Sequence, residues 1–257
     1  MKKTKFMLFS NSNSSIGTNN LKIGNQIIDQ IGTNCNEKYF KFVGHVLDDK
    51  LSWEGHIEHI AKKLASANFG INSSKNFLPL HIRKTLYYSL FDSHLNFGNL
   101  LWGCAKINKL KKIETLQKRC IRNISLKSFK AHTEPLFKSL GILTFSDKLS
   151  HSRAVFMHKY RHNKLPTSFS GMFTDTIMTD TIQSRHKDYN YQNLPAIKKG
   201  LENFPFKQII FNWNSLSLEL KATADPTEFD HMLKQTFISR YDYETNCPHN
   251  CFSCNGI

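Results

Sequence analysis

The spacing of apolar residues changes within the first third of the chain, from a pattern typical of strands to one typical of a helix. From Tyr39 to Leu47, aromatic and β-branched residues follow one another closely, which predicts a strand buried largely on both faces. Gly44 inside that pattern is typical of a bulge or of a close approach by another stretch of backbone. From Trp53 to Ile71, apolar residues recur every three or four positions, which predicts a long amphipathic helix capped by Ser52.

Further strands and helices are predicted on either side of this transition. Lys5–Phe9 is apolar enough to predict a short strand, and Gly24-Asn25 lies between alternating apolar residues, which predicts a hairpin. A second helix is predicted from Pro79, and its apolar residues lie nearly all round it, so we expect it to be buried. The predicted fold class is therefore α+β and mostly α, with a short N-terminal strand and hairpin region before a helical bundle.

A third helix, from Ile107 to Ile124, is predicted to have two contrasting faces. At about 100° per residue, its apolar residues, from Ile107 onward, fall on one half of the helical wheel. The opposite side, here called the basic helix face, carries Lys111, Lys112, Lys118, Arg119 and Arg122. Such a face is either a solvated surface or a contact surface for phosphates, and the basic neighbouring sequence favours nucleic-acid contact.

A fourth helix is predicted from Asp147 to His162, with Ser146 as its N-cap. It is expected to extend the basic surface through four further residues, Lys148, Arg153, Lys159 and Arg161. Leu165-Pro166 is expected to follow its end, because proline cannot continue a helix.

The charge of the chain is concentrated in its middle. The net charge is +15 overall, and residues 51–165 hold 20 Lys and Arg against 6 Asp and Glu. Residues 1–50 have a net charge of +3 and residues 166–257 a net charge of −2. Because a concentrated basic surface attracts phosphates by counterion release, the distribution favours a polyanion, such as an RNA or DNA duplex, as partner.

No stretch is long and apolar enough to predict a membrane span, so no membrane partner is expected. The apolar run from Phe6 to Phe9 is too short for the core of a signal peptide. The cysteines do not form the pattern of a disulfide framework, which favours a reducing, intracellular compartment. The choice between nucleus and cytoplasm stays open.

An ordered series of segments resembles the reverse transcriptases of non-LTR, jockey-like retrotransposons. Phe42-Val43-Gly44 resembles the Tyr-Leu-Gly segment that, in that family, lies just past the palm, where the chain passes the primer. The match weakens near the C-terminus, where Ser217 and Asp230 replace an expected proline and lysine. The other residues that carry the resemblance are Lys3–Phe9, Leu47-Asp48, Leu51, Trp53, His56-Ile57, Leu95–Gly98, Leu101–Gly103, Leu116–Arg122, Ala131–Phe137, Leu140–Leu143, Ser184-Arg185, Phe211–Leu216 and Phe229–Phe237.

The resemblance implies a late-palm strand remnant over residues 1–50, a basic thumb-like helical domain over 51–165, a linker over 166–182 and a tail region over 183–257. It implies the C-terminal part of an RNA-directed DNA polymerase, downstream of the catalytic palm, that retains at most the binding of a template–primer duplex. Phe42, Val43 and Gly44 would then contact the primer. The alternative is a helical nucleic-acid- or protein-binding module without polymerase chemistry. The oligomeric state stays open.

Three groups of residues have side chains that could bind metals. Asp48-Asp49 could be a metal-binding carboxylate pair, but it precedes a helix start instead of a return strand, so a charge at a helix N-terminus is favoured. His56 and His59 share one helical side with only His45 as a further ligand, which favours a surface or packing role. The third group lies near the C-terminus and consists of Cys247, His249, Cys251 and Cys254. Its ligands are crowded, which favours a flexible tail without metal. We therefore expect no catalytic residue, metal or cofactor here, with Mg²⁺ needed only by the full-length polymerase.

Overall fold

The computed structural model describes residues 4–9, 21–32, 37–174, 189–192 and 205–241, which form a mostly helical α+β fold, as predicted. The strands are β1 (Lys5–Phe6), β2 (Lys22–Ile23), β3 (Gln26–Ile27), β4 (Asp29–Gln30), β5 (Phe40–Phe42) and β6 (His45–Leu47). The helices are α1 (Glu54–Ser74), α2 (Leu80–Leu86), α3 (Ser93–Asn96), α4 (Asn99–Trp102), α5 (Ile107–Ile124), α6 (Glu134–Leu140), α7 (Phe145–Arg161), α8 (Pro205–Asn214), α9 (Leu218–Ala222) and α10 (Pro226–Ser239).

The described strands pair only in twos. β1 lies parallel to β4, and β2 and β3 form the predicted hairpin around Gly24-Asn25. The predicted strand from Lys5 to Phe9 is shorter than expected, since only Lys5 and Phe6 pair with a neighbour.

The prediction of one buried strand from Tyr39 to Leu47 is wrong. The segment is an antiparallel hairpin, in which Phe40 lies opposite Leu47. Val43 and Gly44 form its two-residue turn with φ values of 44° and 80°, and positive φ at both turn positions matches the twist of paired strands. Gly44 therefore marks a turn instead of a bulge.

The first core forms where α1 packs on α5. The predicted apolar stripe of α1 is buried through Ile57, Ile60, Leu64 and Ile71. Its start differs slightly from the prediction, because the N-cap position is occupied by Trp53, whereas the Ser52 hydroxyl accepts a 3.3 Å bond from the Glu54 amide. α5 begins and ends at the predicted residues and buries five apolar side chains in this core, Leu110, Ile113, Cys120, Ile121 and Ile124.

The helix predicted from Pro79 is broken into three parts and is buried on one side only. α2 begins directly after Pro79, a π-helical turn follows over Tyr87–Asp92, and α3 completes it. Tyr87, Phe91 and Leu95 are fully buried, whereas Ile82 and Leu90 are exposed. The predicted burial all round is therefore wrong.

Helix α7 joins the first core to a second one. Phe145 and Leu149 belong to the first core, and Ala154 and Met157 pack in the second with α8, α9 and α10. The prediction that Ser146 caps this helix is wrong, because the side chain of Thr144 accepts the bond from the Asp147 amide.

The C-terminal elements are fastened to α7 and to residues 189–192. Phe173, from the region predicted as a linker, is buried in the second core, while residues 175–182 lie outside the described residues. At the end of the described chain, Tyr241 donates a hydrogen bond to Asp147 and accepts one from the Thr144 amide. No described helix has the length and apolar character needed to cross a membrane.

Candidate nucleic-acid interface

The basic helix face is an outward surface of α5. Lys111, Lys112, Lys118 and Arg119 are exposed, while Arg122 is half-buried. Among the residues that the structure describes, none of these five side chains pairs with a carboxylate, although the nearby Lys109 pairs with Glu54. The face is therefore a set of uncompensated cations on a helix whose opposite side is anchored in the core.

Ile107, predicted to lie on the apolar side, is instead 75% exposed. At about 100° per residue, its position on the wheel is only about 20° from that of Lys118. The first residue of α5 therefore borders the basic helix face instead of the core. Together with Phe211 of α8 it lines a cleft of about 450 Å³ near the start of α5.

The basic helix face continues into the turn that follows α5. The Arg122 Nε donates a 2.7 Å hydrogen bond to the Ala131 carbonyl, which holds the turn against the helix. Lys127, Phe129 and Lys130 of this turn are exposed. Burial and the neighbouring Arg119 lower the pKa of Arg122, but an arginine remains charged at neutral pH.

Two aromatic contacts connect this turn to the helix. The Cζ atoms of Arg119 and Arg122 lie 5.9 and 5.8 Å from the centroid of the Phe129 ring. Cations at this distance from an aromatic face are attracted by its quadrupole. The sequence reasoning missed Phe129, although an aromatic residue between Lys127 and Lys130 is a pattern that can indicate nucleic-acid binding.

The basic surface predicted on α7 is smaller than expected. Lys148 points inward and forms a 2.8 Å ion pair with the buried Asp92. Arg153 also turns inward, where it donates to the Gly103 carbonyl and to Gln208. Lys159 remains exposed, while the guanidinium of half-buried Arg161 packs over the ring of Tyr189, which lies outside α7. Lys148 and Arg153 are therefore structural residues, because their charges are used within the fold.

The segment expected to contact a primer lies at the exposed tip of the β5–β6 hairpin. Phe42 is 59% and Val43 is 72% exposed. Val43 has a φ of 44°, which is rare and unfavourable for a β-branched residue. The hairpin therefore presents two apolar side chains and a strained turn to solvent.

The base of the hairpin is fixed by the segment around Phe97. The ring of His45 stacks on Phe97 with centroids 4.8 Å apart and lies 5.0 Å from the ring of His56. A Cβ on Gly44 would be 3.0 Å from the Phe97 ring, and one on Gly98 would be 1.9 Å from His45 Nε2. The close approach predicted for Gly44 is thus to a side chain instead of a backbone. Two of the segments that carry the resemblance therefore pack on each other.

Of the three histidines near this hairpin, His45 and His56 pack against each other. His56 is buried, and its Nδ1 accepts a 3.2 Å hydrogen bond from the Val46 amide. Burial, with smaller contributions from His45, His59 and Lys63, lowers the pKa of His56 to about 4. No group of three or more His, Cys, Asp or Glu side chains within the described ranges could hold a metal ion, and the C-terminal cysteines lie outside those ranges.

Asp48 organises the turn that leads into α1. Its carboxylate accepts bonds from the amides of Lys50 and Ser52, at 3.1 and 2.9 Å, and from the Ser52 hydroxyl at 3.0 Å. A carboxylate used by three local donors shapes the turn from β6 into α1. Asp49 instead lies beside Gly32.

Comparison with known proteins identifies similar sequences among mobile elements. The chain is 28% identical over 124 residues to the RNA-directed DNA polymerase from mobile element jockey of Drosophila melanogaster, a match covering 47% of this chain and 13% of that protein. It is 24% identical over 135 residues to the probable RNA-directed DNA polymerase from transposon X-element of the same species, covering 51% of this chain and 15% of that protein. The resemblance to jockey-like reverse transcriptases is confirmed. No family model matches the chain, and no solved structure matches it.

Several segments that resemble these reverse transcriptases are used for packing in the structure. Gln117 is buried and donates hydrogen bonds to the Tyr87 hydroxyl and the Leu143 carbonyl, at 2.9 and 3.0 Å. Asn214 exchanges two hydrogen bonds with the backbone of Tyr191, and the neighbouring Trp213 donates to the Tyr189 carbonyl at 2.7 Å. The resemblance therefore includes residues that hold the helices and the 189–192 segment together.

Proposed function

We propose that this chain corresponds to the late-palm, thumb and tail portion of a jockey-like reverse transcriptase, and that its basic helix face binds the template–primer duplex. The observation that carries the proposal is a row of cations, four of them exposed, that have no carboxylate partner among the described residues and lie on a helix anchored by its opposite side. The similar proteins are RNA-directed DNA polymerases, which supports nucleic acid as the polyanion.

The dimensions of the basic helix face suit a phosphate backbone. From Lys111 to Arg122, α5 advances by about 16 Å at 1.5 Å per residue. One strand of a duplex carries a charge about every 3.4 Å along the axis, so roughly five phosphates fit in that length. Because the lysines and Arg119 are exposed in the free protein, ion pairing with phosphates requires little burial of charge.

We further propose that the tip of the β5–β6 hairpin contacts the primer. Phe42 and Val43 are exposed there, and Val43 retains an unfavourable backbone conformation. Strain of this kind persists where the surrounding structure enforces it, and it is concentrated at functional sites. Docking of His45 against Phe97 holds the tip in place.

The test is a salt titration of duplex DNA binding with a charge-removal variant. The variant carries Lys111→Gln, Lys112→Gln and Lys118→Gln. The slope of log affinity against log salt should become shallower by up to about 2.7, at about 0.9 for each phosphate that the variant no longer neutralises. Arg119 and Arg122 are left in place because both contact Phe129.

A matched control removes three exposed lysines elsewhere, with Lys22→Gln, Lys159→Gln and Lys164→Gln. This variant has the same net charge as the first, so it reports the effect of general attraction. We expect its salt slope to stay near that of the parent chain. Equal slopes for the two variants would contradict the assignment of the basic helix face.

A further inference from the structure

We infer that Phe129, beside Arg119 and Arg122, is a stacking site for an unpaired base of the nucleic acid held by the basic helix face. The inference rests on the proposed function, since the cations of α5 bring the nucleic acid to this ring. It adds a site for a base, whereas the basic helix face alone contacts phosphates.

The first observation is that most of the Phe129 side chain remains open to solvent. Its side chain is 72% exposed. Full burial of a phenylalanine side chain contributes about 1.5–3 kcal/mol to the free energy of unfolding. Because the Phe129 side chain stays exposed, it contributes only a small part of that amount. An exposed ring on a basic surface is therefore available for a ligand.

The second observation is that the ring is carried by an ordered turn. The Lys127 amide donates to the Arg122 carbonyl at 3.0 Å, and the Ala131 amide donates to the Ser128 carbonyl at 3.1 Å. The bond from Arg122 Nε to the Ala131 carbonyl closes the turn from the helix side. Because Phe129 lies between these bonds, the backbone that carries its ring is ordered before a ligand arrives.

The third observation is the charge around the ring. Two guanidinium groups lie within 6 Å of its centroid, and Lys127 and Lys130 flank it in sequence. From residue 107 to residue 133 the chain has eight Lys and Arg and a single acidic residue, Glu114. An aromatic platform within a basic groove is the usual arrangement for binding single strands, in which a base stacks while cations contact the backbone.

The ring also determines which form of nucleic acid can use the site. In a continuous duplex the faces of the bases are covered by neighbouring base pairs, so the ring has no free base to contact. An overhang or a single-stranded segment exposes such faces, and stacking depends little on sequence because every base has a π-face. The ligand is therefore a nucleic acid with an unpaired base beside the duplex.

The test compares three DNA ligands: a blunt duplex, the same duplex with a short thymidine overhang, and the same duplex with an overhang of abasic nucleotides. The two overhangs carry equal numbers of phosphates and differ only in their bases. We expect the parent chain to prefer the thymidine overhang by at least about fivefold. Phe129→Ala should abolish this preference, so that the variant binds the thymidine and abasic overhangs equally.

Phe211→Ala is the matched control, because Phe211 is 71% exposed but belongs to α8. It lines the cleft near the start of α5, whereas Phe129 follows the end of that helix. The control should keep the full preference for the thymidine overhang. Phe129→Trp should also keep it, and its added fluorescence should be quenched by the thymidine overhang but not by the abasic one.

The two proposals fail in distinguishable ways. If the parent chain binds both overhangs equally but its affinity still falls steeply with salt, the stacking site is refuted and the contact between cations and phosphates stands. Binding to none of the three ligands would refute both. If Phe129→Ala keeps the preference, with an unchanged far-ultraviolet circular dichroism spectrum, the ring is not the site.

Discussion

Acidification should destabilise the fold through His56, which the structure buries in its neutral form. Its Nδ1 accepts a hydrogen bond from the Val46 amide, and its ring packs against His45, Trp53 and Trp102 at 5.0, 5.9 and 6.0 Å. A proton on that nitrogen would remove the hydrogen bond and place a charge among these rings. Burial, and then the nearby His45, His59 and Lys63, lower the pKa of His56 to about 4.

The size of the effect follows from the difference in pKa between the folded and unfolded chain. The unfolded pKa of a histidine is about 6.5, so above that pH neither state binds the proton and stability is unaffected. Between about 6.5 and 4 the unfolded chain binds a proton that the native state excludes, and the free energy of unfolding falls by about 1.4 kcal/mol per pH unit. The total loss is about 3 kcal/mol as the pH approaches the folded pKa of about 4.

Urea unfolding of the parent chain and of His56→Phe across this pH range would measure the effect. The variant loses stability at every pH because the Val46 amide loses its acceptor, but that loss does not vary with pH. The difference in unfolding free energy between the two proteins should therefore change by about 3 kcal/mol across the range. The exposed His81, changed to Phe, provides the control, with no such trend expected. Parallel curves for the parent chain and His56→Phe would refute the reasoning.

Three further perturbations test the packing and the chemistry. Gly98→Ala should lower the free energy of unfolding by more than about 3 kcal/mol, because the new Cβ would lie 1.9 Å from His45 Nε2. Gly141→Ala, with a similar φ of 64° and open space around it, should lower it by only about 1–2 kcal/mol in urea unfolding, and equal losses would contradict this. Lys148→Met should cost about 3–5 kcal/mol by leaving the charge of Asp92 buried and unpaired, and Asp92→Asn in the same chain should recover part of that loss. No primer extension on a primed RNA template is expected with Mg²⁺ or Mn²⁺, because Asp48 is used by its turn and the sequence predicts no catalytic carboxylate pair. Extension above a control without protein would contradict this.

The spacing of apolar residues predicted the helices of the first core well, because burial of one apolar stripe determines both the length of a helix and the side that it turns to the core. α5 begins and ends at the predicted residues, and the stripe of α1 is buried as expected. The side chain of Lys148 points inward because it pairs with Asp92, which is 56 positions away in sequence. No local pattern contains that partner, so a basic residue on α7 was predicted to face solvent.

The β5–β6 hairpin was missed because its turn lacks the usual signal. Two-residue turns with positive φ favour Asn-Gly, and Val43 occupies the first position here. Phe40, Phe42 and Val43 also resemble a buried strand in composition, but no second sheet among the described residues covers them. Tertiary contacts at His45 and Phe97, invisible in the local sequence, hold the turn instead.

Arg122 links the proposed binding of phosphates to the proposed stacking of a base. Its Nε is already used to hold the turn through the Ala131 carbonyl, so its remaining N–H donors are the ones that can contact a ligand. The same guanidinium lies 5.8 Å from the centroid of the Phe129 ring. A phosphate that binds Arg122 therefore acts on the side chain that contacts the Phe129 ring. For this reason the contributions of Arg122 and Phe129 to the binding free energy should not be additive. Lys111 and Lys112 lie about 15 Å or more before Arg122 along α5, so their contributions should add independently to that of Phe129.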